Sequence, residues 1–333
     1  MLKRTNVLAL VGNEKNMKFS SDKLIIWDAH KGKIFSELTF SSEILNVKIK
    51  LDRIILSTQD NKLYVLNMST LEIINIFQTY ENKKGLFAIS SDEKLLVIAF
   101  PYRHSGYVKI KNYNKPTNVP AINAHDGNIS FIAINHEGTL LATASEKGTL
   151  IRIFCVNNGE LIQELRRGAK IAKIYYISFD FNNKFIACSS SSRTIHIFSI
   201  YSSIKYLKEK GIISPKTTIN RSSEIDINNN NNIIEEPKNQ KGFLGSIISV
   251  LKIGIAYFES EWSFAQFRIP NFVEDKEKEI ITCFEQNNNS IIVLTKSGRI
   301  FRASFEPSLG GECNKIFGKN LMKKGKDNKF EEI

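Results

Sequence analysis

Short apolar stretches alternate with polar turns along most of the chain, with a turn about every 8–12 residues. Residues 54–57 read Ile-Ile-Leu-Ser, and the polar turn Gln59-Asp60-Asn61 follows them. The next stretch, Leu63-Tyr64-Val65-Leu66, is again apolar, and residues 71–77 close the unit. Short β-prone stretches at this spacing predict an all-β fold.

The same unit recurs, and it is clearest at residues 128–165. There the pattern predicts strands at 128–135, 139–145, 149–156 and 160–165, with Gly-containing turns between them. Four strands in about 40 residues is the period of a β-propeller blade, so we expect a propeller of four-stranded blades. Six such units are recognisable, near residues 7–40, 44–77, 86–123, 128–165, 174–200 together with 263–269, and 280–305.

A long insertion, residues 201–260, interrupts the fifth unit. Its first part, 201–242, is rich in Asn, Ser, Lys and Glu, and this composition predicts disorder. Its second part, 243–258, has apolar residues at helical spacing, which predicts an amphipathic helix suited to a membrane interface. The alternative is that this stripe packs against the protein itself. The residues of the stripe are Phe243, Leu244, Ile247, Ile248, Leu251, Ile255 and Phe258. We therefore expect a propeller over residues 1–305 and a polar C-terminal tail over residues 306–333.

The chain is basic, with 46 Lys and Arg against 34 Asp and Glu and a formal net charge of +12. A positive field spread over the whole chain favours anionic partners, either nucleic acid or acidic membrane. Sites for single-stranded nucleic acid combine basic side chains with interleaved aromatic ones, and this chain lacks that arrangement. We therefore expect no nucleic-acid partner.

The four cysteines form no Cys-x-x-Cys pair and have no His at metal-ligand spacing, which predicts reduced thiols, a cytosolic setting, and no metal or cofactor. No apolar run reaches 18 residues, and the first residues lack the apolar core of a signal peptide. These features predict neither a spanning helix nor secretion.

Catalytic signals are weak. Residues 189–192 are four serines near His196, which would suit a nucleophile and a base. However, no nucleophile elbow or orienting acid accompanies them, and Gly310-Gly311 lacks the Lys-Ser/Thr of a phosphate-binding loop. We therefore predict that the protein is not an enzyme and has no catalytic residues.

The adjacent arginines Arg166 and Arg167 end a predicted strand and precede Gly168. Neighbours on an extended segment point to opposite sides, so each guanidinium can serve a separate pocket. Hydroxyl and imidazole donors stand in the units on either side, at Ser145, Thr149, Ser190, Thr194 and His196. Arginine forks and these donors suit phosphate oxygens, and two pockets side by side would bind a surface with avidity. A solvated turn is the alternative.

Several stretches make the chain resemble the PROPPIN family, also called WIPI proteins. The most specific is Leu165-Arg166-Arg167-Gly168, which is similar to the family's Phe/Leu-Arg-Arg-Gly motif. The others are 140–152 (LLATASEKGTLIR), 194–198 (TIHIF), 261–268 (EWSFAQFR), Arg4-Thr5-Asn6, 9–12 (ALVG), 26–28 (IWD) and 310–313 (GGEC). Together they extend over nearly the whole chain.

The resemblance implies a seven-bladed propeller that binds phosphatidylinositol 3-phosphate and the 3,5-bisphosphate in autophagy. It implies that the stripe at 243–258 enters the membrane, and that the protein is cytoplasmic and peripheral on organelle membranes, where it recruits autophagy or lipid-transfer proteins. The implied first pocket comprises His125, Ser145, Thr149 and Arg166. The implied second pocket comprises Arg167, Ser190, Thr194 and His196.

The resemblance begins where the family's second blade begins, so the sequence leads us to expect six blades and no counterpart of the first. Two functions stay open on the sequence. One is a phosphoinositide-dependent membrane adaptor. The other is a protein scaffold without lipid binding, since propellers of the WD-repeat class usually bind proteins.

Overall fold

The computed structural model describes residues 6–12, 19–50, 52–115, 119–213, 237–241, 260–271, 279–286, 288–324 and 330–332. The chain divides into two compact units. The first comprises residues 1–116 and 120–126, and the second comprises residues 117–119 and 127–333.

The first unit contains three antiparallel sheets. Sheet A consists of β1 (Val7–Val11), β2 (Lys23–Asp28) and β3 (Lys33–Thr39). Sheet B consists of β4 (Ile44–Lys50), β5 (Arg53–Thr58), β6 (Lys62–Asn67) and β7 (Ile73–Gln78). Sheet C consists of β8 (Ala88–Ile89), β9 (Val97–Pro101), β10 (Tyr107–Asn112) and β11 (Ile122–Asn123).

Alternation along the central strands of sheet B explains how the three sheets stack. Ile54 and Leu56 pack with Leu24 and Ile26 of sheet A. The intervening Ile55 packs on the other side, in a cluster that includes residues of sheet C. Successive side chains of a strand point to opposite faces, so a strand covered on both faces is apolar at nearly every position. Each such buried side chain stabilises the fold by about 1.5–3 kcal/mol.

The second unit begins with two antiparallel arrays. The first array is β12 (Ile129–Ile134), β13 (Leu140–Ser145), β14 (Leu150–Cys155) and β15 (Leu161–Arg166). The second is β16 (Ile174–Phe179), β17 (Phe185–Ser190) and β18 (Thr194–Ser199). The insertion then supplies α1 (Tyr201–Glu209) and β19 (Gln240–Lys241), and β20 (Glu261–Trp262) and β21 (Ala265–Arg268) follow it. The last elements are β22 (Ile281–Phe284), β23 (Ser290–Leu294), β24 (Arg299–Ser304), β25 (Gly311–Glu312), β26 (Asn314–Lys324) and β27 (Phe330–Glu332).

These strands form three sheets, and the outer strands of sheets D and E come from parts of the chain distant from their neighbours. Sheet D has the order β12-β13-β14-β15-β20-β19, sheet E the order β16-β17-β18-β21-β25, and sheet F the order β22-β23-β24-β26-β27. Sheet E lies between the other two. Ile186 and Cys188 of β17 pack in a cluster with residues of sheet D. Ala187, between them, packs in a cluster with residues of sheet F.

The structure differs from the predicted disorder at both ends of segment 201–242. Residues 201–209 form α1, because Ile204 and Leu207 are buried in the apolar cluster of sheets D and E. Residues 240–241 form β19, which pairs with β20. Tertiary contacts therefore override a polar composition there. Residues 214–236 and the predicted membrane stripe at 243–258 lie outside the described residues.

The predicted boundary at residue 305 is also wrong. Strand β26 pairs antiparallel with β24 and is the fourth strand of sheet F, so the segment predicted to be a polar tail completes a blade. Its lysines at 315, 319 and 323–324 break the apolar alternation that identified the other strands.

The all-β prediction and its six repeating units are confirmed, since each unit corresponds to one of sheets A–F. In the part of the chain that the structure describes, no helix is long and apolar enough to cross a membrane.

Candidate functional site

The two arginines stand at the end of β15 and are both buried. Arg166 pairs with Leu150 of β14 on one side and with Trp262 of β20 on the other. The backbone N–H of Arg167 donates to the carbonyl of Thr149 at 2.9 Å. Arg166 is 4% exposed and Arg167 is 5% exposed. Arginine is almost never buried to this degree unless its charge is matched, so both positions need an explanation.

The side chain of Arg166 is held within sheet D. Its Nε donates to the hydroxyl of Ser260 at 2.7 Å, and Ser260 itself is buried. Ser145 ends β13 and Thr149 directly precedes β14, so both lie at the same end of sheet D as Arg166. Ser145 is buried and Thr149 is half-buried. Three members of the first predicted pocket therefore share one sheet end.

His125, the fourth member of that pocket, belongs to the first compact unit. His125 is buried, and its backbone N–H donates to the carbonyl of Gly106 at 3.2 Å. The structure places Ser145, Thr149 and Arg166 in the second unit and describes His125 with the first.

The guanidinium of Arg167 has a different set of partners. Its Nε donates to the carbonyl of Gly148 at 2.9 Å, and one terminal nitrogen donates to the carbonyl of Lys170. Burial lowers the pKa of Arg167 below its ordinary value, and the neighbouring Cys188 opposes that change. Among the described residues, no carboxylate forms an ion pair with Arg167. The two adjacent arginines thus have separate partners.

The remaining members of the second pocket lie in sheet E. Ser190 ends β17 and Thr194 begins β18, so they flank one turn. The hydroxyls of Ser190 and Ser192 lie 2.9 Å apart. Burial, and next the charge of Arg167, lower the pKa of His196 to about 4. With that pKa, His196 is neutral near pH 7.

Sequence reasoning missed three contributors to this site. Gly148 accepts from Arg167, Ser260 accepts from Arg166, and the Ser263 hydroxyl lies 3.2 Å from Nδ1 of His196. The motif 261–268 marks the region of Ser260 and Ser263, but the residues that they contact are distant in sequence. Gly148 could have been identified as a turn glycine directly before Thr149.

Exposed cations surround the site. They are Lys147, Lys170, Lys173 and Arg193. The N–H of Lys173 donates to the hydroxyl of Ser191 at 3.2 Å, which places this lysine beside the turn that Ser190 and Thr194 flank. These side chains raise the local positive potential, which favours an anionic ligand over a neutral one.

The serine-histidine alternative finds no catalytic geometry. The hydrogen-bond partner of His196 is Ser263, and in the described part of the chain no hydrogen bond joins its ring to a serine at 189–192. Ser189 donates to the carbonyl of Ile280 at 2.5 Å. In the described ranges, no three His, Cys, Asp or Glu residues group as metal ligands. The arrangement is built of donors, which suits binding of an anion.

Comparisons with known proteins identify relatives of the chain. The family model described as PROPPIN matches residues 10–211. Autophagy-related protein 18e of Arabidopsis thaliana is 30% identical over 313 residues, which cover 94% of this chain and 73% of that protein. SVP1-like protein 2 of Neurospora crassa is 36% identical over 200 residues, which cover 60% of this chain and 46% of that protein.

Solved structures show the same fold at low identity. Hsv2 of Kluyvelomyces marxianus has a TM-score of 0.66 at 19% identity, over 97% of this chain and 84% of that one. KlAtg21, in its complex with the coiled coil of AgAtg16, has a TM-score of 0.68 at 21% identity, over 96% of this chain and 83% of that one. The family model and the Arabidopsis relative show the family, and the solved structures show the fold. The chain therefore belongs to the PROPPIN family and has a β-propeller fold.

Proposed function

We propose that this protein is a phosphoinositide-binding membrane adaptor that uses two pockets, one at Arg166 and one at Arg167. The observation that carries the proposal is the buried Arg167, whose described partners are two backbone carbonyls and no carboxylate. A buried guanidinium without a counter-charge is costly, and a bound phosphate would supply that charge.

The surroundings support the same ligand class. Ser145 and Thr149 stand at the sheet end beside Arg166, and Ser190 and Thr194 stand at a turn of sheet E. Hydroxyls are neutral donors that complete the coordination of phosphate oxygens. The exposed lysines around the site draw the protein toward an anionic membrane before either pocket is filled.

In this proposal the protein is cytoplasmic and attaches to the surface of phosphoinositide-bearing organelle membranes. There it recruits autophagy or lipid-transfer proteins. The names of its relatives support the autophagy setting, since several are called autophagy-related proteins. Each pocket alone gives weak attachment, and two pockets on one surface give avidity.

Vesicle co-sedimentation tests this function. We expect pelleting with vesicles that contain phosphatidylinositol 3-phosphate or the 3,5-bisphosphate, and little pelleting with phosphatidylserine vesicles of equal charge. Changing Arg166→Thr and Arg167→Thr together should abolish the specific part, because each pocket loses its guanidinium fork.

The matched control is Lys83→Thr with Lys84→Thr, which removes two adjacent, exposed cations from the first unit. This control should pellet with the phosphoinositide vesicles like the unmodified protein, and circular dichroism should show that both double variants fold. If the arginine variant folds and still pellets with the phosphoinositide vesicles, the pockets are not where we place them.

A protein-scaffold function has one observation in its favour. The solved relative KlAtg21 is in a complex with the coiled coil of AgAtg16. We propose that this chain also binds a coiled-coil autophagy protein, at a surface other than the arginine site. Titration calorimetry with such a coiled coil should then give the same affinity for the unmodified protein and the double arginine variant.

A further inference from the structure

The outer edge of sheet D is formed by one strand of the insertion and by a second strand directly after it. Strand β20 runs parallel to β15, with Arg166 opposite Trp262, and β19 pairs antiparallel with β20. The sheet of the fourth repeat thus contains two short strands that come from the interruption of the fifth repeat. Arg166 stands at the seam between β15 and this added pair of strands.

Ser260 directly precedes β20 and reaches back to the arginine. It is 3% exposed, and its hydroxyl accepts from Nε of Arg166 at 2.7 Å. An arginine side chain has several rotatable bonds, and a hydrogen bond to Nε fixes the plane in which its terminal nitrogens lie. Ser260 therefore sets the direction in which Arg166 presents its fork.

A second set of bonds holds the added strands against β15. The carboxylate of Glu261 accepts from Nε2 of Gln163 at 2.8 Å and from Nδ2 of Asn239 at 2.6 Å. Asn239 also exchanges two hydrogen bonds with the backbone of Ser199, at 2.6 and 2.7 Å. The bonds tie β15, β19, β20 and the end of β18 into one polar network.

From this geometry we infer that Ser260 is a positioning residue for Arg166, and that anion binding at Arg166 is coupled to docking of β19–β20 on β15. The inference rests on the function proposed above. A docked β20 holds Ser260 in place, and Ser260 orients the guanidinium. Docking of the strands raises the affinity for the anion. By linkage, binding of the anion stabilises the docked strands by the same coupling free energy.

The coupling has a functional reading. Residues 242–259, which contain the apolar stripe, connect β19 to β20 in the chain. Of the two strands that flank this stripe, β20 thus pairs directly with Arg166, and β19 reaches the arginine only through β20. Anion binding in the first pocket therefore favours the state in which the strands at both ends of the stripe are docked on sheet D.

Three single variants test the inference. Ser260→Ala removes the hydroxyl that Arg166 contacts, and Ser260→Thr restores a hydroxyl at that position. Ser57→Ala is the matched control, because Ser57 is a buried serine of sheet B whose hydroxyl donates to the carbonyl of Gly85 and not to a group of the network around β20. The probe is inositol 1,3-bisphosphate, the soluble headgroup of phosphatidylinositol 3-phosphate.

Titration calorimetry should show two separate sites in the unmodified protein, each weaker than the membrane binding that both give together. Ser260→Ala should weaken one of them by about tenfold, because a hydrogen bond that orients a charged group is lost. Ser260→Thr should recover most of that affinity, and Ser57→Ala should keep both sites even if it unfolds at a lower temperature.

Hydrogen exchange supplies a readout that a purely structural serine would not move. The headgroup should slow exchange of the amides at 240–241 and 261–262 in the unmodified protein and in Ser260→Thr, and should not do so in Ser260→Ala. If the unmodified protein binds the headgroup and Ser260→Ala binds it equally well, the positioning inference is overturned and the proposed function stands. If the unmodified protein does not bind the headgroup at all, the proposed function fails with it.

Discussion

At the scale of single residues, two ionisable groups of the second unit are shifted in opposite directions by burial. Burial lowers the pKa of His196 to about 4, with the charge of Arg167 as a second cause. Burial raises the pKa of Asp180 to about 6, against backbone N–H donors such as that of Phe185, which lies 2.9 Å from the carboxylate. In both cases the uncharged form is favoured.

These shifts predict how stability depends on pH. As pH falls from 6.5 to 4, the unfolded chain protonates His196 before the folded protein does, so His196 lowers the free energy of unfolding. The full loss is about 3 kcal/mol. Asp180 acts in the opposite sense between pH 6 and 4, because the folded protein takes up that proton first.

Urea unfolding at pH 7 and pH 5 measures the two effects separately. His196→Gln should lose less stability on acidification than the unmodified protein, and Asp180→Asn should lose more. Parallel losses in all three proteins would show that neither group titrates as its burial implies.

At the scale of the element, the turn between β13 and β14 contains the glycine that the site requires. Gly148 has a φ of +59°, and a Cβ there would overlap the carbonyl of Ala172. The motif glycine, Gly168, has no positive φ, and a Cβ there would meet no atom within 4 Å. The motif glycine is therefore the replaceable one of the two.

We expect Gly148→Ala to lower the free energy of unfolding by about 2 kcal/mol or more, from backbone strain and overlap together. Because the Gly148 carbonyl accepts from Arg167, the same change should weaken headgroup binding. Gly168→Ala should change stability by less than about 0.5 kcal/mol. Chemical denaturation of both variants decides the matter, and a tolerated alanine at 148 would contradict the turn geometry.

The elements that the sequence predicts well are those with local partners. The strands expected at 139–145 and 149–156 are β13 and β14 with ends shifted by at most one residue, because the hairpin partners are adjacent in the chain. The pairing of β15 with β20 was not predictable, since two-residue strands carry no periodicity and their partner is far away. Helix α1 was missed because Ile204 and Leu207 are too few apolar residues to form a recognisable stripe.

The same reasoning applies to the candidate site. Arg166, Arg167 and their hydroxyl neighbours follow from the motif and from strand ends, which are local features. Ser260 and Ser263 depend on which distant strand completes each sheet, and a single sequence does not contain that information. The placement of the first and second pockets as ligand sites stays a prediction for the experiments above.

At the scale of the whole molecule, the net charge of +12 gives the protein a general affinity for anionic surfaces. This affinity acts over a Debye length, about 10 Å at 0.1 M salt and about 3 Å at 1 M. Contacts inside a buried pocket are screened much less. Two components of membrane binding should therefore separate by their response to salt.

We expect binding to phosphatidylserine vesicles to disappear as NaCl rises from 0.1 to 0.5 M, whereas binding to phosphatidylinositol 3-phosphate vesicles falls by a smaller factor. Co-sedimentation across that salt series measures both. The Lys83→Thr and Lys84→Thr control should shift only the phosphatidylserine curve. Equal salt sensitivity on the two vesicle types would show that Arg166 and Arg167 contribute only to the general positive charge and form no specific pocket.

The late covering of β15 also has a consequence for synthesis of the chain. Ser260 follows Arg166 by 94 residues, so β15 leaves the ribosome long before the strand that will cover its edge. At ordinary translation rates this interval lasts on the order of 5–20 s. During that time the edge of a growing chain is open to pairing with other nascent chains, and Glu164 and Arg166 on β15 place charge where such pairing would start. Arg166 thus stands on a strand whose outer edge must stay unpaired while the protein is being made.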